Sequence, residues 1–98
     1  MKYAVLFEDN EEFAHMRPRH MADHLQFLAD NGACIDAAGP LKDAVSADPA
    51  GGIWIVDADD ANQVQRLVEQ DPFYPTGLRK SIRILEWNRV FADGSRLI

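Results

Sequence analysis

The spacing of apolar residues in this chain switches between the two-residue repeat of strands and the helical repeat, in an order that few folds can accommodate. In KYAVLFE, Tyr3, Val5 and Phe7 alternate with Ala4 and Leu6, which predicts a strand. From about Pro18 to Asn31 the period changes: Met21, Leu25 and Leu28 recur at helical spacing. Pro18 suits the first turn of that helix, and Asn31-Gly32 supplies its stop. ACIDAAGP predicts a second strand ending at Gly39-Pro40, LKDAVSADPAGG a long polar loop, and IWIVDA a third strand. DDANQVQRLVEQ predicts a helix with an acidic first turn and Ala61, Val64, Leu67 and Val68 on one face. Beyond a Pro-rich turn, LRKSIRILEWNRVF predicts the last strand. The order β-α-β-β-α-β is that of the ferredoxin-like α+β fold, a four-stranded antiparallel sheet with two helices on one face. No repeat, low-complexity tract or linker divides the 98 residues, so a single domain spanning 1–98 is expected.

Two helices cover only one face of such a sheet. Ile53 and Ile55 point away from Trp54 and Val56, and Ile82 and Ile84 oppose Leu85 and Trp87, so both faces carry apolar side chains. A second apolar face is rarely left open, and the expected cover is a second copy, giving a homodimer through the sheet faces. The alternative is a cap within one chain, made by the long loop and the C-terminal ADGSRLI. A net charge of −6 and a pI near 4.8 argue against nucleic acid or an anionic membrane as the partner. The apolar run at the N-terminus ends at Glu8 and Asp9, too soon for a signal peptide or a membrane span. The single cysteine, Cys34, excludes an internal disulfide and fits a reducing compartment, so a cytoplasmic location is expected.

The residue that draws attention to chemistry is Asp71, an acid placed where the second helix ends. Helix C-termini carry partial negative charge, and an aspartate there is unfavourable by roughly 0.3–1 kcal/mol. On the first helix His24 lies between Met21 and Leu28, along or beside the core-facing stripe. The two helices pack side by side in this fold, so Asp71 can approach His24 and form an acid–base dyad, the carboxylate fixing the imidazole tautomer and raising its basicity. A core-edge histidine satisfied by a backbone carbonyl is the plainer alternative. His20 and His24, four residues apart, also have a spacing that binds metals, yet two ligands make no site and no metal is expected. Arg17, two helical turns before His24, is a candidate ligand for a substrate oxyanion or carboxylate. A surface ion pair with Glu11 or Glu12 would serve it equally well. Phe73 and Tyr74 are candidate pocket walls or core plugs, Gly51-Gly52 before a strand is either an anion-binding nest or plain turn chemistry, and Gly39, Pro40 and Gly52 are candidates for contact with a ligand.

DHLQFLADNGACIDAAGPLKD, GGIWIVDADD, VEQDPFYPTGL and IRILEWNRVF, in this order, resemble the YciI-like (YCII-related) family over nearly the whole chain. The resemblance implies a ferredoxin-like α+β fold, a dimeric α/β barrel, and a site built on a His–Asp pair. By position these are His24, before Leu25, and Asp71 of Asp-Pro-Phe, with Arg17 at the place of an arginine that recurs in relatives. Many relatives have Arg-Pro-Ala-His where this chain reads Met21-Ala22-Asp23-His24, so a second arginine is missing. A related enzyme removes chloride from a chlorinated hydroxyhydroquinone, and muconolactone isomerases share the architecture. The resemblance therefore implies a small cofactor-independent enzyme of lyase, dehydrochlorinase or isomerase type, acting by proton transfer on an oxygenated ring-derived metabolite. In that reading His24 moves the proton, Asp71 orients it, and Arg17 or loop amides near Gly39 and Gly52 hold the enolate-like oxygen. The alternative is a non-catalytic protein that binds a small ligand or serves as an accessory in a metabolic pathway.

Overall fold

The computed structural model describes residues 1–98. Strand β1 (Lys2–Asp9) is followed by a 3-10 turn at Glu11–Phe13 and helix α1 (Met16–Asp30). Strands β2 (Ile35–Lys42) and β3 (Pro49–Asp57) form a hairpin, helix α2 (Ala61–Gln70) returns, and β4 (Arg79–Glu86) completes the sheet. The strand order β2-β3-β1-β4, with each neighbouring pair antiparallel, is the ferredoxin-like arrangement that the periodicity predicted.

Alternation decides what each strand buries. Tyr3, Val5 and Phe7 of β1 and Trp54 and Val56 of β3 face the helices, where they meet Val64, Leu67 and Val68 of α2 in one core. Phe27 and Leu28 of α1 and Ile82 and Ile84 of β4 close over it. Phe7 meets Trp54 edge to face, with ring centroids 5.1 Å apart. Helix α2 starts where it does because the Asp60 carboxylate accepts from the Gln63 N–H at 2.9 Å, while the Gln63 side chain accepts from the Asp59 N–H. That exchange satisfies donors that a helix N-terminus leaves free.

Three expectations need correction. The predicted long loop shrinks to residues 43–48, because β2 continues through Lys42 and β3 begins at Pro49. Its tip is fixed by the Asp43 carboxylate, which accepts from the Val45 and Ser46 N–H groups and turns the chain within six residues. The last strand ends at Glu86 rather than Phe91. Asp93 and Gly94, with φ of 53° and 78°, fold the remaining tail into a small hairpin of β5 (Phe91–Ala92) and β6 (Ser95–Arg96). Leu25, predicted on the buried stripe of α1, is instead 56% exposed, and the buried position of that helix is His24.

The other face of the sheet has no helix on it. In-register Ala4, Ile55 and Leu85, and Leu6 beside Ile53, form an apolar strip across β1, β3 and β4. Neither the 43–48 turn nor the C-terminal hairpin pairs with this sheet. No helix is long and apolar enough to cross a membrane.

Candidate active site

Asp71 caps the C-terminus of α2 in extended backbone, its N–H bonded to the Val68 carbonyl at 3.2 Å. Pro72 follows and prevents the helix from continuing. The carboxylate is 2% exposed, and three donors offset its burial at a helix end. His24 Nδ1 lies 2.7 Å from Oδ1, the Phe73 N–H donates to the same oxygen at 3.1 Å, and Arg79 Nη2 lies 3.4 Å from Oδ2. The contact between His24 and Asp71 spans 47 residues of sequence and arises because α1 and α2 lie side by side on the sheet.

With Nδ1 engaged by a carboxylate, the imidazole presents Nε2 as its free nitrogen. Nε2 has no partner within the chain, yet it is not among the polar atoms shut away from solvent. Phe73, fully buried, stacks on the imidazole with centroids 4.1 Å apart and planes 20° from parallel. The ring is thereby fixed in orientation from the side as well as through its nitrogen.

His24 opens onto a cavity of about 100 Å³ between α1 and the sheet. Arg17, Gly39, Pro40 and Gly52 all line it, so four of the predicted ligand-contacting residues meet at the histidine. Gly52 contributes space: a Cβ there would stand 3.2 Å from the Gly39 carbonyl oxygen. Phe73 lies behind His24 rather than on the cavity wall, and Tyr74 is 41% exposed on a 3-10 turn and lines neither this cavity nor its neighbour. Arg17 and Pro40 also line that neighbour, an open groove of about 820 Å³ between the end of β1 and the tip of the β2–β3 hairpin. Arg17 pairs there with Asp9, and its predicted partners Glu11 and Glu12 do not hold it. His20 is half-buried, and no third His, Cys, Asp or Glu joins it and His24 in a group able to hold a metal.

Sequence reasoning missed Arg79. Inward positions of β4 are set by Ile84 and Ile82, opposite Val5 and Phe7, and strict alternation would next turn Lys80 inward. A bulge intervenes: Ser81 pairs with Glu8 but Arg79 pairs with Asp9, so Lys80 is the extra residue. Arg79 takes the inward place, its side chain 5% exposed, with its guanidinium 3.9 Å above the Phe7 ring and 5.3 Å from Phe73. Burial pushes its pKa down, while Asp71 and Asp9 oppose that shift. Titratable groups therefore run in a chain from His24 through Asp71, Arg79 and Asp9 to Arg17. The only sequence signal for this was an arginine opening a strand beside an acid at the end of its partner.

Fold and site together define a small ferredoxin-like protein with a buried histidine–carboxylate pair facing a cavity. Residues 1–88 match the YCII-related domain, and the chain belongs to that family. Among solved structures, it is similar to 5-chloro-2-hydroxyhydroquinone dehydrochlorinase (TftG) from Burkholderia phenoliruptrix AC1100, solved in complex with 2,5-dihydroxybenzoquinone. The identity is 27% and the TM-score 0.79, over 90% of this chain and 94% of that one. The Arabidopsis thaliana protein At3g17210 is more distant, with 10% identity and a TM-score of 0.49 over 94% of this chain and 97% of that one. Among curated proteins no sequence matches this one.

Proposed function

We propose that this protein is a cofactor-independent enzyme of lyase or isomerase type that moves a proton on a small, oxygenated, ring-derived metabolite. The observation that carries this reading is His24, held at Nδ1 by a 2%-exposed carboxylate and free at Nε2 beside a cavity. The similarity to a dehydrochlorinase holding a dihydroxybenzoquinone supports an elimination. In such a step His24 relays a proton from one ring hydroxyl to the chlorine-bearing carbon, giving a keto tautomer in which that carbon holds both H and Cl. Loss of the proton of the para hydroxyl then drives an electron pair through the ring and expels chloride with its bonding pair, for a net loss of HCl. Asp71 fixes the tautomer and stabilises the imidazolium that forms. A positioned acid–base group of this kind is worth about 10²–10⁴-fold in rate.

The reading includes a homodimer formed through the open sheet face, supported by the strip of Ala4, Leu6, Ile53, Ile55 and Leu85 that no helix covers. It also places the protein in the reducing cytoplasm, on the strength of its lone cysteine. The test is turnover of 5-chloro-2-hydroxyhydroquinone and of unsaturated lactones, followed by chloride release and ring absorbance. Wild-type protein is expected to turn over at least one of them, and His24→Ala is expected to abolish the reaction while remaining folded. Saturable binding without turnover across the panel would refute the enzyme and favour a small-ligand-binding or accessory protein.

A further inference from the structure

The cavity beside His24 has a charge bias opposite to that of the protein. The chain as a whole is at −6, yet the titratable side chains lining this cavity are Arg17, His24 and Arg79, with no carboxylate among them. Asp9 faces the outer groove, and Asp71 lies outside the lining of both cavities. Arg79 is also poorly satisfied. A guanidinium has five N–H donors. Its two ionic contacts here, to Asp71 and Asp9, are both 3.4 Å long, and its Nε–H is buried without an acceptor. Contacts of that length lie beyond the usual range for N–H···O bonds, and charge-assisted pairs are normally shorter still. The Phe7 ring beneath it attracts the cation but fills no donor in the guanidinium plane. Gly52 keeps the adjacent space open, since a Cβ there would come within 3.7 Å of Arg79 Nη1.

From this geometry we infer that Arg79 is the anion seat of the cavity, holding the charged oxygen of a ligand that binds as a small ring oxyanion, a phenolate or quinone enolate, beside His24. Arg17 supplies the second positive charge of the seat. The inference rests on the proposed reading that this cavity takes ring-derived ligands, and adds the ligand's charge state and the group that recognises it. An oxyanion on Arg79 also separates the tasks at the site: the arginine holds one oxygen while Nε2 of the imidazole stays free to accept a proton.

The probes are 2,5-dihydroxybenzoquinone, a vinylogous acid that ionises below neutral pH, and hydroquinone, which is uncharged there. Binding of each at pH 7 is measured by calorimetry to wild type, Arg79→Met and Arg79→Lys. Wild type is expected to prefer the anion by about tenfold or more. Arg79→Met is expected to lose about 10- to 100-fold of its affinity for the anion, the span of one charge-assisted hydrogen bond, while binding hydroquinone within about twofold of wild type. Arg79→Lys is expected to recover part of the loss. The inference is overturned if wild type binds hydroquinone as tightly as the anion, if it binds neither, or if folded Arg79→Met keeps wild-type affinity for the anion. Should Arg79→Met fail to fold, the wild-type preference for the anion, together with the partial loss in Arg79→Lys, still decides. Anion binding that depends on Arg79 without turnover would sink the enzymatic reading alone. Turnover with anion binding indifferent to Arg79 would sink the seat alone.

Discussion

Replacing Asp71 with asparagine tests the link between burial, charge and proton transfer at one atom group. Asparagine has almost the same shape, and its carbonyl oxygen can still accept from His24 Nδ1–H and from the Phe73 N–H, now 2.7 and 3.1 Å from the carboxylate. What disappears is the negative charge. Two hydrogen bonds to a charged acceptor fall from about 1.5–3 kcal/mol each to the 0.5–1.5 kcal/mol of neutral ones, a loss of roughly 2–3 kcal/mol together. Removing one partner of a buried ion pair costs about 3–5 kcal/mol when the other charge is stranded. Here Arg79 keeps Asp9, and its contact with Asp71 is long at 3.4 Å, so the full penalty does not apply. A total of about 2–3 kcal/mol corresponds to roughly 10–20 °C in Tm for a domain of this size. Thermal unfolding followed by circular dichroism measures this directly. Turnover, measured well below the variant's Tm, is expected to fall about 10²–10⁴-fold, because the tautomer and the imidazolium lose their support. A Tm within about 2 °C of wild type would refute the energetic account of the buried carboxylate. Retained turnover in a destabilised variant would show the pair to be structural.

Three further outcomes rest on the backbone and the open sheet face. Gly51→Ala places a Cβ 1.8 Å from the Phe7 carbonyl oxygen at a φ of +82°, whereas Gly94→Ala, at +78°, meets nothing within 4 Å. Urea titrations should show Gly94→Ala losing about 1–2 kcal/mol and Gly51→Ala clearly more; equal losses would contradict the close approach of β3 to β1. The Ser46 and Val45 N–H groups hold the Asp43 carboxyl below its ordinary 3.8, and bonding to Lys2 does the same for Asp57. A depressed carboxylate contributes stability that is complete above its unfolded pKa and is lost as pH falls through the folded one, so the protein should weaken below about pH 4. Asp43→Asn should flatten that acid limb of the Tm-against-pH curve, and an unchanged limb would speak against the turn. Ile55→Asp puts a charge in the middle of the open sheet strip and should convert a dimer to monomer in sedimentation velocity. A wild-type protein already monomeric at micromolar concentration would remove the basis for the sheet-face dimer.

Much of this molecule was legible in the order of its residues. Period-two runs gave β1 and β3, and the apolar face of α2 gave the buried Val64, Leu67 and Val68. An aspartate at the wrong end of α2 pointed to an outside partner, and the β-α-β-β-α-β order suggested His24. These features are local: they depend on side-chain alternation, helical phase and the dipole of one helix. Leu25 went astray because spacing identifies a stripe but not its centre, which packing placed on His24.

The tertiary structure alone decided the electrostatics of the site. Arg79 is inward only because β4 bulges at Lys80 against the end of β1, and a bulge is set by the pairing of two strands that lie 70 residues apart in sequence. Once inward, it joins Asp71 to Asp9 and gives the cavity a positive lining within an acidic protein. Side-chain periodicity is a property of one segment, and the sequence therefore determined the elements and suggested the His24–Asp71 pair. Register and desolvation are properties of segments brought together, so the charge that confronts a ligand was decided only by the fold.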